Sequence, residues 1–172
     1  MSVLQSVQVA LGIGSNLNRR LHIQRGMDAL KRQFGKLDVS PVYRTPAHGF
    51  EGPDFFNLVC TTETTLEVGE LQAVLKNIED SEGRVRRQDE ILSRTLDIDI
   101  LLYGDQDLRN RGFDIPRQEI LEYPFVLRPL SELLPLGMHP TEKVTFLSLW
   151  QNMQKIQPQI ESAEWMPTLA QE

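Results

Sequence analysis

Val7, Val9, Leu11 and Ile13 alternate with Gln8, Ala10 and Gly12. A period of two predicts a strand with one apolar face and one face of small residues. Ile23, Met27, Leu30 and Phe34 then recur at helical spacing, and Gly35 is placed to end that helix. Leu37 to Thr45 predicts a second strand. Pro46 to Asp54 carries two Gly and two Pro and predicts a loop. Phe55 to Thr62 is rich in aromatic and β-branched residues and predicts a third strand. Val68, Leu71, Leu75 and Ile78 mark a second helix, closed by Gly83. Arg84 to Ser93 is polar and predicts a mobile loop, and Thr95 to Tyr103 predicts a fourth strand ended by Gly104.

The order β-α-β-β-α-β is the ferredoxin-like α+β pattern, a four-stranded antiparallel sheet. Two helices on one face leave the other face free. Beyond residue 104 the pattern weakens. It predicts short helices near 117–122 and 128–134, and a longer one over 144–156 carrying Val144, Leu147 and Trp150. The last dozen residues are expected to be poorly ordered. The whole chain, 1–172, reads as a single domain with a core over about 7–135 and a C-terminal helix and tail over 136–172.

Composition narrows the function. A net charge of −6 and a pI near 5.1 make nucleic acid an unfavourable partner. Positive charge for an anionic ligand must therefore be concentrated locally. Cys60 is the single cysteine, so no intrachain disulfide forms. It alternates inward with Phe56 and Leu58, which suits a buried thiol rather than a nucleophile. Met1 to Gln8 lacks the basic and apolar regions of a signal peptide, and no apolar run is long enough to span a membrane. A cytoplasmic protein, monomeric or weakly dimeric, is the expectation.

The fourth strand carries the sharpest chemistry. Alternation puts Leu96, Ile98, Ile100 and Leu102 on the helix-packed face and Asp97 with Asp99 on the other. Two neighbouring ionised carboxylates repel unless a cation neutralises them. Hard oxygen donors without nearby Cys or His point to Mg²⁺, against the plainer reading of a solvent-facing strand. Arg84, Arg86, Arg87 and Arg94 lie just before this pair. Each alone reads as a solvated loop charge. Together with the aspartates they suit a triphosphate, because guanidinium forks bind phosphate bidentately. Phe55 and Asn57 share a strand face, and an aromatic beside an amide could stack on a heterocycle and read its edge, although the residues alone favour a core Phe and a strand-end Asn. Gly12-Ile13-Gly14-Ser15-Asn16 lacks the third glycine of a dinucleotide fingerprint and the lysine of a P-loop. It reads as a strand end and tight turn, with Asn16 or Asn18 near a helix cap. His22, His48 and His139 are scattered and form no metal-binding spacing.

Taken together, several blocks resemble the 6-hydroxymethyl-7,8-dihydropterin pyrophosphokinase family. They are Gly12 to Leu17, Val42 to Pro46, Asp54 to Asn57, Gly83 to Arg86, Ser93 to Gly104 and Phe125 to Leu130, over roughly residues 7–135. The resemblance implies transfer of pyrophosphate from ATP to the hydroxymethyl group of the reduced pterin in folate synthesis, with AMP leaving. It implies that Asp97 and Asp99 hold two Mg²⁺ ions, with Arg84 and Arg94 on the phosphates. Phe55 and Phe125 would sandwich the pterin, and Asn57 with Thr45, Pro46 and His48 would read its edge. Glu79, Lys76, Arg84, Arg94 and Arg117 fall at positions on the nucleotide side.

The chain departs from the family at Glu90 and Ile91, where Arg-Trp is frequent, and at Pro116-Arg117, where Pro-His is frequent. Tyr123 replaces an arginine, and Lys76 a glutamine. These changes raise the alternative of a non-catalytic pterin-binding paralogue. The retained aspartate pair opposes it, since a binding module has little use for two unneutralised carboxylates. A ferredoxin-like RNA-binding module is opposed by the acidic charge and the aspartates on the open face.

Overall fold

The computed structural model describes residues 4–47, 51–83, 95–157 and 159–170. The elements run β1 (Val7–Ser15), α1 (Arg19–Phe34), β2 (Asp38–Val39), β3 (Tyr43–Thr45), β4 (Phe55–Thr64), α2 (Val68–Ser81), β5 (Asp97–Tyr103), α3 (Pro124–Leu133), α4 (Phe146–Met153) and β6 (Glu161–Ser162). The sheet order is β5-β1-β4-β3-β6, with β2 also paired to β4. The central antiparallel pairing of β1 with β4 and β5 is the ferredoxin-like α+β arrangement the pattern predicts. Gly35 and Gly83 stop the two long helices as expected, at φ 83° and 78°. There a β-carbon would be strained.

Six strands form where four are expected, for two reasons. The predicted second strand is broken at Ser40-Pro41, because proline has no N–H for a ladder. Ser40 is fully buried there. Its N–H donates to Val59 O at 2.9 Å, and its Oγ accepts from Val59 N–H at 2.9 Å. The hydroxyl thus stands in for a missing backbone acceptor. The added sixth strand comes from the C-terminal tail.

Val9, Leu11 and Ile13 pack with Ile23, Met27, Leu30, Leu71 and Leu75 in the core between sheet and α1/α2. Leu96, Ile98 and Ile100 join them as predicted, but Leu102 does not. The register shifts between Ala10 and Leu11, which leaves Leu101 as an extra residue on β5. Such a bulge reverses the alternation beyond it. Leu101 and Leu102 therefore join the second core, while Tyr103 turns to the helix face and its hydroxyl donates to Leu66 O at 2.6 Å.

That second core corrects the expectation of a free sheet face. Ala10, Val59, Leu101 and Leu102 are covered by Ile120, Val126, Leu127, Leu130 and Phe146. The predicted helix near 128–134 starts earlier, with Pro124 in the first turn where its missing N–H costs nothing. The 117–122 helix is a 3₁₀ turn over Gln118–Leu121. The 144–156 helix shortens to α4, capped by Thr145 Oγ1 accepting from Ser148 N–H at 3.1 Å. The C-terminal half of β1 and the facing starts of β4 and β5 lie beyond these covering residues at one end of the face, as the exposed Gln8 and Glu63 do at the other.

The tail is built into the fold, contrary to the expected disorder. β6 pairs with β3 through Ser162–Tyr43 and Glu161–Arg44, and Ala163 N–H donates to Val42 O at 2.9 Å. Trp165 then stacks on Phe56 with centroids 5.9 Å apart. The Gln24 amide clamps Thr168, donating to its carbonyl at 2.6 Å and accepting from its N–H at 2.8 Å. No helix among the described residues is long and apolar enough to cross a membrane.

Candidate active site

Gly12 and Gly14 form the floor of the uncovered patch. On β1, Gly12 is registered with Asp99 on β5 and Val59 on β4. Gly14 is registered with Asp97 on one side and Asn57 on the other. The pair lies in the last four residues of β1, and the chain bends at 16–18 before α1, so the strand end and turn that the sequence suggests are both present. A β-carbon on Gly14 would stand 2.9 Å from Asn57 Oδ1, closer than real contacts allow. The glycines leave room on the central strand for neighbouring side chains, Leu101 beside Gly12 and the Asn57 amide beside Gly14.

The acidic side holds Asp97 and Asp99, both partly exposed on one face of β5. Burial pushes the Asp99 carboxyl up to about 6. The Arg117 guanidinium opposes the shift, while the carboxylates of Asp97, Glu119 and Glu79 add to it. Arg117 Nη2 lies 3.6 Å from Asp99 Oδ2, and its Nε lies 3.3 Å from Glu119 Oε2. Glu79, buried near the end of α2, accepts from Ile98 N–H at 2.8 Å. It thereby satisfies the exposed edge of β5. Lys76, Glu79, Asp99, Phe113, Asp114 and Arg117 line a groove of ≈ 600 Å³ between α2, β5 and residues 112–117. That volume is in the range of small-molecule sites.

The amide side is ordered by its neighbours. Asn57 Nδ2 donates to Thr45 Oγ1 at 2.8 Å, which orients the amide. Thr45 is registered with Phe55, and Pro46 follows it on the exposed rim. The far end of the 46–54 loop is tied down by Asn16 Nδ2 donating to Pro53 O at 3.3 Å and Arg19 Nη1 donating to Asp54 O at 2.6 Å. Asn16 therefore holds this loop rather than capping α1. Asn18 is the N-cap residue, with no side-chain capping bond. Phe125 sits in the first turn of α3, stacked on Tyr123 with centroids 5.1 Å apart. Tyr43 hydrogen-bonds to Glu132, and Arg128 lies 4.8 Å over the Tyr43 ring. This cluster ties α3 to β3.

The donors suit a hard divalent cation. Among the described residues no group of three or more His, Cys, Asp or Glu could hold a metal by itself. Two carboxylates fit Mg²⁺ in particular, which keeps waters and takes the rest of its oxygens from substrate phosphates. The partly buried Asp99 is the side chain such a cation would relieve most.

A profile of the family described as 7,8-dihydro-6-hydroxymethylpterin-pyrophosphokinase (HPPK) matches residues 10–135. The chain belongs to this family. HPPK of Synechocystis sp. is 33% identical over 142 residues, covering 81% of this chain and 72% of that protein. HPPK of Aquifex aeolicus is 34% identical over 134 residues, covering 77% of this chain and 83% of that one. The fold is shared with the wild-type Plasmodium falciparum HPPK-DHPS crystal structure with pteroate, at a TM-score of 0.70 and 14% identity. That match covers 90% of this chain and 44% of the solved one, so the chain spans less than half of the bifunctional protein.

Within this pyrophosphokinase fold, the residues marked from sequence fall into two groups. Asp97, Asp99, Glu79, Lys76 and Arg117 gather on the groove side of the glycine floor. Asn57, Thr45 and Phe55 gather on the other, with Pro46 beside them. Phe125 is placed by α3. Arg84, Arg94 and His48 lie outside the described residues, as do Glu90 and Ile91. Sequence reasoning named Gly12, Gly14 and Asn16 without giving them a role in the site, and it missed Arg19 and Glu119. The glycines carried a readable signal, because they share β1's small-residue face. The others act through loop contacts with no local signature.

Proposed function

We propose that this chain is a 6-hydroxymethyl-7,8-dihydropterin pyrophosphokinase that uses ATP with two Mg²⁺ ions. One observation carries the reading: Gly14 on β1 is registered with Asp97 on β5 and with Asn57 on β4, so these two residues share one sheet face on either side of a residue that has no side chain. They stand roughly 10 Å apart, two strand spacings. A phosphate site and a heterocycle site are thus side by side.

The pterin lies on the Asn57 side, where the Thr45-oriented amide reads its edge and Phe55 and Phe125 provide ring faces. Pro46 lines its rim, and the family resemblance assigns His48, outside the described residues, to the same substrate. ATP lies in the groove between α2 and residues 112–117, with Lys76, Arg117, Arg84 and Arg94 on its phosphates and Glu79 bracing the β5 edge. Asp97 and Asp99 hold the cations. Bound Mg²⁺ would neutralise the triphosphate and hold the reacting oxygens in line. The hydroxymethyl oxygen forms its bond to the β-phosphorus and loses its proton to water, while the bond from that phosphorus to the oxygen it shares with the α-phosphorus breaks, so AMP leaves with that oxygen. The chain's residues contribute chiefly by alignment and charge, which suffices for phosphoryl chemistry without a strong base.

The test is AMP release from ATP and Mg²⁺ with and without 6-hydroxymethyl-7,8-dihydropterin. Pterin-dependent AMP is expected. ADP would mean ordinary kinase chemistry, and pterin binding without any nucleotide product would mean a binding protein.

A further inference from the structure

Asp99 already has a cationic partner within the chain. The Arg117 guanidinium bridges Asp99 at 3.6 Å and Glu119 at 3.3 Å. Its backbone is fixed, because the Arg117 N–H donates to Leu101 O at 2.9 Å. The side chain therefore pivots from an anchored point. Lys76, Glu79 and Asp114 face the same groove.

A bare divalent cation at Asp99 meets the repulsion of this guanidinium, which water screens in part because the Arg117 and Asp99 side chains are 27% and 37% exposed. A cation arriving on a nucleotide triphosphate brings net negative charge, which the same guanidinium favours. Glu119 gives Arg117 a second carboxylate, so the arginine stays at the groove when Asp99 turns to the metal.

We propose that Arg117 is a positioning residue that holds Asp99 before nucleotide arrives, weakens capture of a bare divalent cation, and favours cation and nucleotide binding together. This rests on the pyrophosphokinase reading of Asp97 and Asp99.

The experiment measures Mn²⁺ affinity by calorimetry for the wild type, Arg117→Ala and Arg117→Lys, without nucleotide and then with a non-hydrolysable ATP analogue. Asp97→Asn is made in the wild-type and Arg117→Ala backgrounds. Arg117→Ala is expected to bind bare Mn²⁺ about tenfold more tightly, the scale on which a neighbouring opposite charge shifts a carboxylate. The same variant is expected to bind the Mn²⁺–analogue complex about tenfold more weakly, and Arg117→Lys to stay near wild type in both. A merely structural role would move both affinities the same way. Unchanged or weaker bare-ion binding in Arg117→Ala, with Asp97→Asn still abolishing binding, overturns the proposal and leaves the metal site standing. Bare-ion binding untouched by Asp97→Asn overturns both.

Discussion

The β-carbon that Gly14 lacks would stand 2.9 Å from the side-chain oxygen of Asn57. The glycine is therefore what lets the amide lie over the central strand. Gly14→Ala forces Asn57 out of its bond to Thr45 or bends β1. Overpacking of this kind costs about 1–3 kcal/mol. The expected kinetic result is a roughly tenfold or greater rise in KM for the pterin, as the oriented amide is lost. KM for ATP should change much less, and steady-state kinetics with each substrate varied checks this.

Removing the acidic pair should act on turnover. Asp97→Ala and Asp99→Ala are each expected to lower kcat by about 10²–10³-fold, the scale for losing one preorganised electrostatic element. Pterin binding by fluorescence should persist in both, because Asn57 and Thr45 are untouched. Intact turnover in Asp97→Ala would refute its assignment to the metal.

The tail strap predicts a coupled effect on stability and pterin. Trp165 stacks on Phe56, which is flanked on β4 by Phe55 and Asn57, and Arg19 lies 3.9 Å over the other ring partner's centroid, that of Phe56. Trp165→Ala removes a partly buried aromatic, at a cost of about 2 kcal/mol or more. Thermal unfolding should shift down by roughly 4–8 °C. Pterin affinity should fall with it, while Trp165→Phe recovers most of both.

His139 predicts an acid-sensitive turn. It is 2% exposed, and its Nδ1 accepts from Thr141 N–H at 3.2 Å and Glu142 N–H at 3.1 Å. Only the neutral ring can accept them. Burial holds its pKa below the ordinary 6.5. For a depressed base the unfolded chain binds the proton first, so stability is full above 6.5 and falls as pH drops below it. Melting temperature measured from about pH 5 to 8 should show this fall in the wild type, and His139→Gln should flatten it.

Local periodicity was enough for the elements that depend on neighbours in the chain. Alternation along Thr95 to Tyr103 placed Asp97 and Asp99 together, as observed on β5. The pairing of Phe55 with Asn57 on one face follows from the same rule, and Gly35 and Gly83 end helices because only their backbones tolerate positive φ. The bulge at Leu101 is different. It depends on how β5 registers against β1, so the strand alone predicted the wrong face for Leu102.

Sequence by itself determined the strand and helix order, the acidic pair and the amide strand, because these rest on spacing within a few residues. Tertiary structure decided that Gly12 and Gly14 lie between that pair and that amide, that α3 and α4 cover part of the open face, and that the tail closes the β3 edge. It also decided that Arg117 faces Asp99. Each of these joins residues far apart along the chain, where register and packing set the partner and local propensity carries no information about it.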